Sequence, residues 1–122
     1  MALILLVEDN AHQRKWYETE LKADGHDVVT ATSGREAVSL IESHPTVDLI
    51  IMDINMPNMD GIEAMGKILG KHNTMPVILN TAYASYKDNF MSWSADAYVI
   101  KSSDLTELRT TIGKILAKKK GG

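Results

Sequence analysis

Five short apolar runs punctuate the chain roughly every two dozen residues: LILLV (3–7), DVVTA (27–31), DLIIM (48–52), PVILN (76–80) and AYVI (97–100). Most are continuous rather than alternating, the pattern of parallel strands covered on both faces. Between them the apolar residues fall into helical spacing. In 11–24, Trp16 or Tyr17 and Leu21 share a helix face, and Gly25 stands where a C-terminal cap is needed. In 32–44, Ala37, Leu40 and Ile41 keep the helical period until Pro45 ends it. Ile62, Met65 and Leu69 recur at i, i+3 and i+7, with Gly66 and Gly70 as weak points in that helix. Leu105, Leu108, Ile112 and Ile115 form the clearest amphipathic face. Ser103 or Asp104 is placed to cap that last helix, and its late lysines suit a helix C-terminus. The segment 84–95 carries the weakest signal, with Tyr86, Phe90 and Trp93 at helical spacing among polar residues. Strand and helix therefore alternate, which predicts an α/β fold with right-handed crossovers.

Composition narrows the class. A chain of 122 residues suits one domain with a core of its own. Hydrophobic content of 44% and charged content of 24% are those of a soluble globular protein. There is no cysteine, hence no disulfide framework or thiolate chemistry, as fits a reducing cytoplasm. A net charge of −3 is too small to draw nucleic acid or membrane by field alone. No apolar run approaches the roughly 20 residues of a membrane span. MALILLVEDN lacks a basic n-region and a small-residue cleavage site, so it reads as a first strand rather than a signal peptide. KKKGG reads as a loose end, giving a domain over 1–117 and a tail over 118–122.

In open α/β sheets, ligands bind at the carboxyl ends of the strands. Glu8 and Asp9 follow the first run, Asp53 ends the third, Thr81 follows the fourth and Lys101 the fifth. The second strand contributes nothing and is expected at the sheet's border. Read singly, Asp53 would serve as a turn cap, Glu8 as a solvated acid, Thr81 as an ordinary strand end and Tyr98 as a half-buried tyrosine. Together on one edge they have a chemical logic. Crowded carboxylates repel unless a cation sits among them. Magnesium is the expected cation, because it takes oxygen ligands and combines one or two carboxylates with phosphate oxygens. His12, His26, His44 and His72 are scattered and lack the spacing of zinc ligands. A lysine and a hydroxyl beside the metal suit a phosphoryl group. A carboxylate held in line can be its acceptor. Asp53 at the tip of a buried strand is placed for that role; NMPNMDG is the turn that frames it, and Asn55 can lend a backbone carbonyl to the metal.

With these residues in view, the chain resembles a response-regulator receiver domain of two-component signalling, from ILLVEDN to LTELRTTIGKIL. The matching pieces are Glu8-Asp9, DLIIMDINMPNMDGIE, PVILNTAY and SADAYVIKSSDLTEL, whose order and spacing are specific together. The resemblance implies a doubly wound, flavodoxin-like, five-stranded parallel sheet in the order 2-1-3-4-5, flanked by five helices. It implies that Asp53 accepts a phosphoryl group from a histidine kinase or histidine phosphotransfer protein. Asp9 would bind Mg2+, with Glu8 helping directly or through water and the carbonyl of Asn55 completing the set. Lys101 would pair with the phosphoryl group and Thr81 would hydrogen-bond to it. Tyr98 matches the family's switch aromatic, expected to turn inward as Thr81 moves. The face read by a downstream protein would comprise the fourth helix, fifth strand and fifth helix, near Tyr86, Phe90, Tyr98 and Arg109. Asn55 and Tyr83 would flank the path of the hydrolytic water, where a bulky Tyr83 can shield the acyl phosphate. The implied protein is cytoplasmic and not an enzyme beyond slow self-dephosphorylation. It contacts neither nucleic acid nor membrane directly, and it is a monomer or a weak, phosphorylation-dependent dimer. With nothing after the last helix, it reads as a stand-alone receiver or as a piece cut from a larger regulator.

Two positions depart from the family. Ser102 follows the lysine where proline is usual, which leaves a trans bond with a shifted loop or a strained cis bond, and puts the reach of Lys101 in question. Ser94 stands where glycine is common. Three other functions compete. A degenerate receiver acting as a docking scaffold has only the Lys101-Ser102 step in its favour. A phosphohydrolase commonly carries a second aspartate two residues after the nucleophile, and here that residue is Asn55. A flavin carrier needs a phosphate-binding loop after the first strand, where VEDNAHQ is acidic.

Overall fold

Aliphatic residues that cannot be solvated on either face force the middle of the sheet to be covered twice. β3 (Leu49–Met52) is buried at every position, as is β4 (Val77–Thr81). β1 (Leu3–Val7) is buried after its first residue, whereas β2 (Asp27–Ala31) is mostly half-exposed and β5 (Ala97–Ile100) is exposed at its end. The order is β2-β1-β3-β4-β5, all parallel, so the least buried strands are the borders. The computed structural model describes residues 2–53, 60–72, 74–82 and 95–121.

Period-two alternation divides the core into two layers. Leu5, Val7, Ile50, Met52, Val77, Leu79 and Tyr98 point to one face, where they meet Ala37 and Ile41 of α2 (Gly34–Ser43) and Ile68 of α3 (Asp60–Lys71). Ile4, Leu6, Leu49, Ile51, Ile78 and Val99 point to the other. There they meet Tyr17 and Leu21 of α1 (Ala11–Ala23) and Leu108 and Ile112 of the C-terminal helix (Thr106–Gly121).

Local chemistry fixes the helix ends. The Asn10 side chain accepts from the Gln13 N–H at the start of α1. At its end Gly25 takes φ 95°, its N–H bonding to the Lys22 carbonyl while that of His26 bonds to the Leu21 carbonyl. This is the paired closure that glycine permits at a helix terminus. Ser33 caps α2 by accepting from Glu36 N–H.

Of the two aromatics offered to the face of α1, Tyr17 is buried and Trp16 stays 37% exposed, because only Tyr17 lies one turn before Leu21. Ile68, absent from the expected face of α3, is buried, with Leu69 packed partly beside it; the side chains of Ile62 and Met65 lie outside the described residues. Asp104 rather than Ser103 anchors the start of the C-terminal helix, its Oδ1 accepting from the N–H and hydroxyl of Thr106. The C-terminal helix runs on to Gly121, through residues expected as a tail. Lysines propagate helix well and are favoured near its C-terminus. Arg109 lies against α1 and its end, 2.8 Å from Asp24 and 3.9 Å from Glu20. Among the described residues there are four helices, and none is long and apolar enough to cross a membrane. The expected helix over 84–95 lies outside the described residues, and with it Tyr86, Phe90, Trp93 and Ser94.

Gly66 and Gly113 are exposed helix positions where an added Cβ meets nothing within 4 Å. Gly66→Ala and Gly113→Ala should each raise stability by about 0.5–1 kcal/mol. A higher midpoint in urea denaturation is the expected result for each, and an unchanged midpoint would contradict it.

Candidate functional site

The strand register assembles the site. Val7 pairs with Met52, so the next residues, Glu8 and Asp53, leave adjacent strand tips together. Asp53 N–H bonds to the Val7 carbonyl at 3.0 Å, and Glu8 N–H bonds to the Ala31 carbonyl at 3.0 Å. Thr81 pairs with Ile100, and Lys101 N–H reaches the Thr81 carbonyl at 2.7 Å. By strand alternation Glu8, Asp53 and Lys101 continue the side of Leu6, Ile51 and Val99, the layer beneath α1 and the C-terminal helix. Thr81 continues the opposite side, that of Leu79, shared with Tyr98.

Lys101 is the hub. Its ammonium lies 2.7 Å from Glu8 Oε1 and 3.3 Å from Asp53 Oδ2, and it donates to the Gln13 side-chain oxygen. The Lys101 side chain is 15% exposed, Asp53 11% and Glu8 2%. The serine after Lys101 therefore does not keep it from the acids. Ser102 instead accepts the Asp104 N–H on its hydroxyl, a local turn contact that proline has no group to make.

Glu8, Asp9 and Asp53 each offer a carboxylate oxygen within 4.8 Å of the others, an arrangement that can hold a metal ion. The donor set is all oxygen, which suits a hard divalent cation of the Mg2+ kind. Burial pushes the Glu8 carboxyl up from its ordinary range; the Lys101 hydrogen bond opposes this and the Asp53 charge reinforces it. Burial likewise raises Asp53, against the pull of the Lys101 charge. Desolvation lowers the Lys101 ammonium, but the Glu8 hydrogen bond and the charges of Asp53 and Glu8 outweigh it and hold Lys101 above its ordinary value. One lysine among three acids leaves negative charge over, and partial burial makes it costly.

Thr81 is fully buried at the end of β4 and Tyr98 is buried in β5 within the α2–α3 layer. Tyr98 thus already lies inward here. Asn55 and Tyr83 lie outside the described residues. Two neighbours of the site went unread in the sequence. Gln13 holds Lys101, and Arg14 Nη1 donates to the backbone carbonyls of Glu8 at 2.9 Å and Asp9 at 3.4 Å. Their signal was position alone: both lie in the first turn of the helix that follows the acid pair.

Residues 4–113 match the response regulator receiver domain, and the chain belongs to that family. In solved structures it is similar to the response regulator TrrA of Thermotoga maritima in complex with Mg2+-BeF, at 38% identity and TM-score 0.87, covering 94% of this chain and 99% of that one. A structure of TrrA with the histidine kinase ThkA gives 39% identity and TM-score 0.85, covering 95% and 99%. Among curated relatives, the regulatory protein AtoC of Escherichia coli is 37% identical over 93% of this chain and 25% of its own length. The response regulator ArlR of Staphylococcus aureus is 34% identical over 95% of this chain and 53% of its own. The chain spans a quarter to about half the length of these two curated relatives.

An acid whose carboxyl is raised on folding stabilises least when ionised. The penalty is absent below the unfolded pKa and grows as pH rises through the folded one. In chelator, Asp53→Asn should therefore be more stable than the parent at neutral pH, with the gain shrinking on acidification. Thermal unfolding across pH checks this; a variant less stable at neutral pH would contradict it.

Proposed function

We propose that this chain is a phosphorylation-controlled signalling receiver whose acceptor is Asp53. The observation that carries the reading is a carboxylate at the tip of a central strand, 3.3 Å from a lysine ammonium and within a cluster of three acids. In the proposed step Asp53 attacks the phosphorus of a phosphohistidine on a histidine kinase or histidine phosphotransfer protein. A P–O bond forms as the P–N bond breaks, and the histidine leaves with the electron pair. Mg2+, held by Asp9, Asp53, the Asn55 carbonyl and Glu8 directly or through water, would supply charge neutralisation for the phosphoryl oxygens. Lys101 is in reach to pair with a phosphoryl oxygen, and Thr81 offers a hydroxyl from β4. The complex of the similar TrrA with a histidine kinase supports the donor class.

Thr81 and Tyr98 form the proposed switch. They share the α2–α3 side of neighbouring strands, so movement of Thr81 toward the phosphoryl group vacates space beside Tyr98. A downstream protein would read the change on the face that includes β5 and the C-terminal helix, with the receiver acting in the cytoplasm as a monomer or a weak, phosphorylation-dependent dimer. Water attack on the acyl phosphate returns Asp53, a slow loss rather than an enzyme's turnover.

Incubation with acetyl phosphate and Mg2+ followed by mass spectrometry tests the reading. A gain of one phosphoryl group that disappears in Asp53→Asn and in chelator is expected. A gain that persists in Asp53→Asn would overturn the assignment.

A further inference from the structure

Lys101 is held from two sides, by groups of different charge. Four hydrogen bonds close a ring: Asn10 N–H to Glu8 Oε2 at 3.1 Å, Gln13 N–H to Asn10 Oδ1 at 2.9 Å, and Lys101 Nζ to Gln13 Oε1 at 2.5 Å and to Glu8 Oε1 at 2.7 Å. An ammonium only donates, so the amide of Gln13 must present its oxygen. The helix cap fixes the backbone of Gln13, and the side chain therefore starts from a set position. Lysine's flexible stem otherwise lets its charge wander.

The two holds respond differently to a cation. Glu8 is one of the acids that can ligate a metal, so a divalent ion competes with Lys101 for its oxygens. The neutral amide of Gln13 is not one of those acids. We propose that Gln13 is a positioning residue that keeps the Lys101 ammonium at the phosphoryl site when Glu8 and its neighbours turn to the metal. This rests on the phosphoacceptor reading of Asp53. The ammonium has three hydrogens; it donates to Glu8 and Gln13 and lies 3.3 Å from Asp53 Oδ2. A phosphoryl oxygen on Asp53 takes over the third of these, while Gln13 keeps its own.

Gln13→Met tests the role, since methionine keeps the unbranched shape and helix propensity but offers only a weak sulfur acceptor. The groove lined by Gln13, Trp16, Tyr17, Lys101, Ser102 and Ser103 leaves room for it. The readouts are the Lys101 ammonium 1H–15N correlation, with and without Mg2+, Mg2+ affinity by calorimetry, and the rate of Asp53 phosphorylation by acetyl phosphate at saturating Mg2+. The parent should show a protected ammonium in both states. Gln13→Met should lose that signal with Mg2+ present, keep Mg2+ affinity within about twofold, and phosphorylate roughly 3- to 10-fold more slowly. Gln13→Glu, whose carboxylate the cation can also draw, should keep the ammonium signal without Mg2+ and lose it with Mg2+. A Gln13→Met protein with parental signal and rate would overturn the proposal. So would one whose rate falls only in step with Mg2+ affinity, because Gln13 would then act on the acids. If the parent itself took no phosphoryl group, the acceptor reading would fail. The ammonium correlation needs no phosphoryl chemistry and would still decide whether Gln13 holds Lys101.

Discussion

The ammonium of Lys101 between Glu8 and Asp53 is the contact around which the carboxyl edge of the sheet is organised. It joins the ends of three strands that are far apart in sequence. Without it three carboxylates within 4.8 Å of one another would face a partly dry site without the ammonium that lies between Glu8 and Asp53. With it the cluster still holds three acids to one lysine, and burial keeps the carboxyls of Glu8 and Asp53 raised against the pull of Lys101. That deficit makes the site receptive to a divalent cation.

Holding such a cluster together requires a scaffold stiff enough to oppose its repulsion. The strands that deliver Glu8, Asp53 and Thr81 are the most buried of the five described, with Ile4, Leu5, Leu49, Ile50 and Ile78 excluded from solvent. Parallel register then sets which tips are neighbours, and strand alternation sets which side each side chain takes. The acids and lysine fall on the α1 side; Thr81 and Tyr98 fall on the other. Chemistry and proposed switch thus occupy opposite faces of one sheet, linked through adjacent residues of β4, β5 and the backbone bond from Lys101 to Thr81.

Much of this was legible beforehand because continuous aliphatic runs have few alternatives to buried parallel strands. The five runs became the five strands, and the residues after them met at one edge, with the least apolar strand at a border. What stayed hidden depended on rotation and on long side chains. Helical spacing alone admitted either Trp16 or Tyr17 to the core, and three-dimensional packing chose Tyr17. Arg109 sits one residue past the buried Leu108, and only the placement of α1 turns it toward Asp24 and Glu20. Gln13 carried no motif, since an uncharged amide in a helix's first turn usually faces water. The late lysines were legible as a helix C-terminus, and the helix runs through them to Gly121.

The central claim is that the acid cluster and its lysine form a cation site that serves Asp53. Calorimetric titration with Mg2+, on the parent protein and on Asp9→Asn, tests it most directly. Asp9 is exposed and belongs to the acid triple, so its loss should remove a ligand without disturbing the core. One saturable site in the parent, weakened at least about tenfold in Asp9→Asn, is the predicted result. No saturable binding in the parent, or equal affinity in the variant, would contradict the account.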